Sequence, residues 1–400
     1  MKLMYISNAC PPEILTEYEK KYSKKKIRFV QQLWDFHLSE AFYNLLKSDF
    51  CAVSFPPITT YPVGKCLFHG RKTMHSRQNN DYVLLPTVNI AVLKQFLYCV
   101  GLLFELLIWS IKNRGEKKVI ITNCIYPQSA LPSFLIRCFS KTKVFTILPD
   151  LPEHSVPNML AEKKWLKKLY SVFIWLSKKI QNGYNGYICF TRFQMEHLIQ
   201  KPNIVIDGMI DTDYIDHIPP HKLDTNKRII VYAGGILEKY GIQTLAEAFI
   251  QLNPDNAELW FYGTGDSVDY LRHLKSDIVF YKGAIPRDEL IGIEKAAYLL
   301  VNPRPTDEEY SKCSFPSKLM EYMATGTPVL TSRLLCIGEE YDDLMYFFDD
   351  ISVQGIKNRL ESLLNGEYQR EIGCKARQEM KLKKNVNYQA ERICAFVQGI

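Results

Sequence analysis

The 400-residue sequence lacks a C-x-x-C pair, and its eleven cysteines are odd in number and scattered. Zinc ribbons and disulfide frameworks need paired, regularly spaced thiols, so reduced and mostly buried thiols of a cytosolic protein are expected. A dense Lys/Arg arm is missing too. The formal net charge of +7 is modest for this length, which argues against nucleic acid as a partner and for small anions or an anionic membrane surface. The start, MKLMYISNACPPE, lacks the charged, apolar and small-residue succession of a signal peptide and reads as a first strand ending in a loop. No uninterrupted apolar run reaches the roughly 20 residues that a spanning helix needs. The nearest, Phe96 to Ile111, contains Glu105 and is bounded by Lys94 and Lys112, so it reads as a buried helix. Internal repeats and low-complexity tracts are also lacking.

What is present is ordinary for a folded chain, with 47% hydrophobic and 23% charged residues. Short β-rich runs alternate with helix-length segments: KKVIITN, TKVFTILPD, NGYICFT and IVIDGMID in the first half, then RIIVYAGG, AELWFYGTG, DIVFYKG, YLLVNPR and PVLTS. GIQTLAEAFIQL and RDELIGIEKAA are the clearest intervening helices. Such alternation is the pattern of parallel βαβ units, and it predicts an α/β protein of two Rossmann-like, doubly wound parallel-sheet domains facing a cleft. Asp211 to Lys227, rich in Asp, His and Pro, is the linker candidate. The expected division is residues 1–205, a linker over 206–227 and a second domain over 228–384, with a terminal helix near 385–400 that packs back on the first.

Open parallel sheets bind ligands beyond the carboxyl ends of their strands. In the second half those ends carry Gly234-Gly235, Gly263-Thr-Gly265, Gly283 and Arg304, followed by CSFPSKLMEYMATGTPVL, residues 313 to 330. Pro316 suits the first turn of a helix and Gly326 with Pro328 its end, so Lys318 falls at the helix start. A cation there is unfavourable unless an anion lies between it and the helix N–H groups. Lys239 and Arg304 are further cations near this edge. Gly263 and Gly265 read equally as a tight turn, and Lys239 as a solvated lysine.

In order and spacing, VYAGGILEKYGIQTLAEAF, LWFYGTGD, VFYKGAIPRDEL and CSFPSKLMEYMATGTPVL resemble the donor-binding domain of GT-B-fold retaining glycosyltransferases of family 4, in the capsular and exopolysaccharide branch. DLPEH and IVIDGMID resemble the matching first-domain and junction motifs. The resemblance implies a nucleotide-diphosphate sugar whose pyrophosphate lies at the helix start, held by Ser314, Phe315, Pro316, Lys318 and Arg304 together with Gly234, Gly235, Lys239, Gly263 and Gly265. It implies that Glu321, the second glutamate of an E-x7-E motif, binds the ribose hydroxyls. Three features depart from the pattern. Cys313 stands where the first glutamate falls, Gly235 and Tyr240 stand where an Arg and a Lys often clamp the phosphates, and Asn8-Ala-Cys-Pro-Pro12 replaces the usual first-domain glycine loop.

The implied reaction is glycosyl transfer with retention, with no metal or other cofactor expected, because fixed cations and helix N–H groups stabilise the departing nucleoside diphosphate. Asp150 is the candidate to orient or deprotonate the acceptor hydroxyl, or else caps a turn; His154 is a second candidate. Asp211-Thr-Asp213 imitates a metal-binding D-x-D triplet but falls in the linker candidate. Lys163 to Ile180, KKWLKKLYSVFIWLSKKI, sets apolar residues at helical spacing among lysines, as either a contact with anionic lipid or a core helix with solvated ends. The first reading points to a glycan or lipid-linked glycan acceptor and a cytoplasmic enzyme peripheral on the inner membrane face. A nucleotide-sugar epimerase of the same fold and a non-catalytic nucleotide-sugar-binding scaffold are the alternatives.

Overall fold

The computed structural model describes residues 1–23, 30–149, 164–197, 201–306 and 315–400. The chain divides into two compact units, Met1–Ile206 with Val386–Ile400, and Asp207–Asn385. Both are Rossmann-like α/β layers.

The first unit is built on an eight-stranded sheet. Its strands are β1 (Lys2–Ser7), β2 (Phe50–Ser54), β3 (Lys72–His75), β4 (Asp81–Leu84), β5 (Lys118–Asn123), β6 (Thr142–Leu148), β7 (Gly186–Cys189) and β8 (Asn203–Val205). Their spatial order is β8-β7-β6-β5-β1-β2-β4-β3, parallel except for the edge strand β3. Central β5 is buried at every residue, as a strand covered on both faces must be. Helices α1 (Pro12–Tyr22) and α2 (Val30–Leu46) lie on one face, where Leu15 and Tyr18 meet Ala52, Tyr82 and Leu84. The C-terminal helix Val386–Gly399 packs on α2. Helices α3 (Ala91–Lys112), α4 (Pro127–Phe139) and α5 (Lys164–Gln181) share the other face. There Tyr98, Leu102 and Leu106 of α3 and Ala130 and Ile136 of α4 join Met4, Ile6, Ile120 and Val144 in one core, against which Ile180 of α5 packs. The expectation of a buried helix over Phe96 to Ile111 holds for one face of α3 only. The opposite face is in solvent, with Phe96, Phe104 and Ile111 exposed.

The second unit has six parallel strands: β9 (Arg228–Gly235), β10 (Ala257–Thr264), β11 (Val279–Gly283), β12 (Leu299–Asn302), β13 (Val329–Ser332) and β14 (Tyr346–Phe348). Their order is β11-β10-β9-β12-β13-β14, which reverses direction of winding at β9 and β12. Two apolar clusters sandwich the sheet, one around Val231, Leu300, Leu319 and Met323, the other around Ile230, Leu245, Phe249 and Phe261. Residues 211–227, read from composition as a linker, belong to this unit. Asp211 caps the short helix Thr212–His217 by accepting from the Tyr214 N–H at 2.9 Å. Lys295 Nζ then ties that helix down by donating to the carbonyls of Ile215 and Ile218, both at 2.6 Å. Asp211 is therefore spent on a cap, which is how this half of the Asp-x-Asp triplet is used.

Candidate functional site

The site lies at the carboxyl edge of the second sheet, beside the winding reversal. Three loops converge there: the end of β9, the residues after β12 and the start of the helix α11 (Ser317–Thr325), which follows α6 (Arg192–His197), α7 (Thr212–His217), α8 (Ile242–Leu252), α9 (Val268–His273) and α10 (Arg287–Ala296). Pro316 is the N-cap of α11, with no side-chain cap, and Gly326 ends the helix in the left-handed region at φ 82°. Lys318 therefore sits in the opening turn, where the motif predicts it. Its side chain bends back over β9. A Cβ added to Gly234 would meet Lys318 Nζ at 2.8 Å, and Gly234 has a φ of 143°, so this position combines a backbone few other residues adopt with a lysine pressed on it.

Two tyrosines hold that ammonium. Lys318 Nζ donates to Tyr232 Oη at 2.7 Å and lies 4.0 Å from the Tyr232 ring centre. It is also 5.6 Å from the ring of Tyr240. The same Tyr240 ring has the Arg304 guanidinium at 5.3 Å and Lys239 Nζ at 5.6 Å. Three cations thus gather about one aromatic ring, which offers each a weak attraction but no countercharge. Tyr240 is placed by the turn Glu238–Tyr240, closed by Gly241 at φ 74°, where a Cβ would strike the Pro303 carbonyl oxygen at 2.3 Å. Lys239 is exposed while Arg304 is 9% exposed.

Burial and, next, the Arg304 charge push the Lys318 ammonium down to about 7, against the opposing pull of Glu294. Glu294, on α10, is fully buried and neither carboxyl oxygen has a hydrogen-bond partner. Burial, reinforced by Glu321, drives its carboxyl well above the usual carboxylate range. Glu294 is thereby held toward its neutral form, so it offers Lys318 little countercharge. Glu321 lies on α11, one turn after Lys318. Its Oε2 accepts from Arg287 Nε at 3.0 Å and Nη2 at 2.7 Å. That leaves Oε1 for a ligand hydroxyl among the described residues, with Arg287 itself stacked 5.0 Å from Tyr214.

The glycines divide by role. Gly235 would press a Cβ on Tyr240 at 3.2 Å, so it belongs to the site. Gly263 and Gly265 instead allow β10 to approach β9, since added Cβ atoms would lie 1.8 Å from the Gly234 carbonyl oxygen and 2.0 Å from that of Ile236. Phe315 is in the core, its ring 5.3 Å from Tyr341. Asp150, His154, Cys313 and Ser314 lie outside the described residues. Sequence reasoning missed Tyr232, Arg287 and Glu294, and assigned Tyr240 only as a departure. No spacing rule marks them, because they come from three separate elements.

Two cavities are lined by described residues. The larger in the second unit, of about 660 Å³, lies beside β14 between Arg333, Asp342 and Arg359 and includes none of the candidate residues. The first unit has one of about 240 Å³ beyond β1 and β2, lined by Asn8, Lys94, Tyr98 and Gln128. Next to Asn8, the buried Asp35 accepts from the Tyr5 hydroxyl at 2.9 Å and the Asn8 N–H at 2.9 Å, and from the Asn123 amide. Burial outweighs those donors and pushes its carboxyl up to about 7.

Residues 213–383, which contain this entire edge, match the model of the family described as glycosyl transferases group 1. The fold is similar to that of sucrose-phosphate synthase from Thermosynechococcus elongatus, with 15% identity, 100% of this chain and 99% of that chain covered, and a TM-score of 0.66. It is similar to Anabaena HepE solved in complex with UDP, with 12% identity, all of both chains covered and a TM-score of 0.63. It is also similar to the apo form of the lipopolysaccharide outer core galactosyltransferase WaaB, with 13% identity, all of both chains covered and a TM-score of 0.60. No curated protein matches the sequence. Residues 213–383 thus resemble group 1 glycosyl transferases, and the chain as a whole has the GT-B fold of these neighbours.

Proposed function

We propose that this protein is a retaining glycosyltransferase of family 4 that moves a sugar from a nucleotide-diphosphate sugar to a glycan or lipid-linked glycan in cell-surface polysaccharide assembly, at the cytoplasmic side of the membrane. The observation that carries the reading is the gathering of Lys318, Arg304 and Lys239 about Tyr240 at the start of α11. A pyrophosphate placed there would meet the cations and the uncapped helix N–H groups together. Charge grows on the leaving nucleoside diphosphate as the glycosidic bond breaks, so cations fixed in advance favour the transition state without reorganising. Glu321, oriented by Arg287, would take the ribose hydroxyls. Asp150 is assigned to orienting the acceptor hydroxyl, with His154 beside it in sequence.

HepE has been solved with UDP and with UDP and glucose, so uridine donors come first in the test. Melting curves of the wild type and Lys318→Ala with a panel of nucleoside diphosphates and nucleotide sugars should show stabilisation by one nucleotide family, lost in the variant. Proton NMR of the product formed with a lipid-linked acceptor should show the donor's anomeric configuration retained. A folded wild type that no nucleotide stabilises would overturn the site assignment.

A further inference from the structure

The layer α3–α4–α5 has apolar residues on both of its faces, and only the inner one is used by the core. On α3, Val92, Phe96, Phe104, Ile108 and Ile111 form a stripe opposite the buried Tyr98, Leu102 and Leu106, and each is at least half exposed. On α4 the spacing of four repeats in Leu131, Leu135 and Phe139, the last 84% exposed. On α5 Val172 and Trp175 continue it at 55% and 60%. Because α4 packs against both α3 and α5, the three stripes adjoin. A soluble surface rarely leaves so continuous an apolar area in water.

The charges beside it select the occupant. Among the described side chains of the three helices, Lys112, Lys178 and Lys179 are exposed against a single glutamate. That glutamate, Glu105, is bound by Arg71 at 2.6 Å. Lys112 ends α3 in solvent, and exposed Lys178 and Lys179 follow Trp175 on α5, with Lys179 Nζ 6.0 Å from its ring. Pairing this face with its own copy about a two-fold axis would set cations against cations. Anionic lipid headgroups complement it instead, with apolar side chains entering the acyl boundary. Spanning is a separate matter. Although α3 is long and apolar enough to cross a bilayer, its inner face is committed to the sheet and holds the buried Lys94, whose Nζ donates to the Ile58 carbonyl at 3.0 Å.

We propose that the outer face of α3, α4 and α5 docks the first unit flat on an anionic lipid bilayer. The inference enlarges the contact expected from Lys163–Ile180 to three helices, and it does not depend on the transfer reaction. Flotation of the full chain with vesicles of phosphatidylglycerol and phosphatidylcholine in equal parts, and with phosphatidylcholine alone, tests it. The wild type should float with the anionic vesicles only. Lys178→Glu with Lys179→Glu should weaken that binding about 30-fold or more, since each lysine near the surface is worth about a fivefold factor. Phe104→Ser with Phe139→Ser should abolish flotation while leaving the melting temperature close to that of the wild type, because both side chains are mostly exposed, at 62% and 84%. A folded wild type that stays in the soluble fraction with both vesicles would overturn the proposal. So would binding that survives both double variants, or a concentration-dependent dimer, without vesicle binding, that Phe139→Ser dissociates.

Discussion

If Lys318 is near half-charged at neutral pH in the free protein, donor binding must take up a proton. Its ammonium is pushed to about 7 by burial and by Arg304, and the negative charge of a pyrophosphate beside it offsets both effects. By reciprocity, a ligand that raises this group's proton affinity binds better where the group is already charged. The sign is fixed: affinity is full below about pH 7 and falls as pH rises, approaching about tenfold in Kd per pH unit. Between about pH 6 and 9 the loss approaches a hundredfold. Titration calorimetry with a nucleotide sugar is the assay, since its pyrophosphate diester does not ionise near 7, whereas a terminal phosphate does, at about 6. At about pH 8, heats in buffers of different ionisation enthalpy should report uptake of nearly one proton per ligand. The free protein should show the opposite trend. Its unfolded chain holds the Lys318 proton up to the ordinary lysine range, so this residue's share of stability rises with pH above about 7. In Lys318→Met, binding should weaken and both trends flatten. A Kd constant over the range, or a pH dependence unchanged in Lys318→Met, would refute the reasoning.

Four further outcomes are expected. Gly263→Ala should destabilise the second unit by about 3 kcal/mol or more in urea unfolding, because its Cβ collides with backbone at a φ of 138°. Tyr322→Phe should lower stability by about 2 kcal/mol by the same measurement. Its hydroxyl accepts from the Ala233 N–H at 2.7 Å and donates to the Ala233 carbonyl at 2.9 Å, and both groups would be left buried. Arg287→Ala should release Glu321 and raise KM for the donor about tenfold with kcat largely kept, as loss of uniform binding does. Asp35, whose folded carboxyl is pushed up to about 7, binds more protons folded than unfolded between about pH 4 and 7. Stability from this group is therefore full at the acid end and lost as pH rises through about 7; melting curves of Asp35→Asn should lack that component.

Alternation of apolar runs with helix-length segments determined the α/β class and five of the second unit's strands, because a strand buried on both faces must be apolar throughout. Gly326 and Pro328 placed the end of α11, and Pro316 its start, because these residues have so few backbone options. Lys318 was legible as a candidate anion ligand for the same local reason, a cation at the wrong end of a helix. What lay beyond the sequence was whatever distant elements create by meeting. Strands β2, β4 and β14 are too short to show a period, and sheet order decides which edges adjoin. The same order makes Gly263 and Gly265 packing glycines, since only strand pairing puts the carbonyls of Gly234 and Ile236 against them. Asp211 to Lys227 looked like a linker because its polar composition hides the cap and the Lys295 bonds that fold it into the second unit. Tertiary structure alone brought Tyr232, Tyr240, Arg304 and Lys318 together, and it alone turned one stripe of α3 inward and left the other in water. Composition registers how apolar a helix is; only packing determines which of its faces is covered.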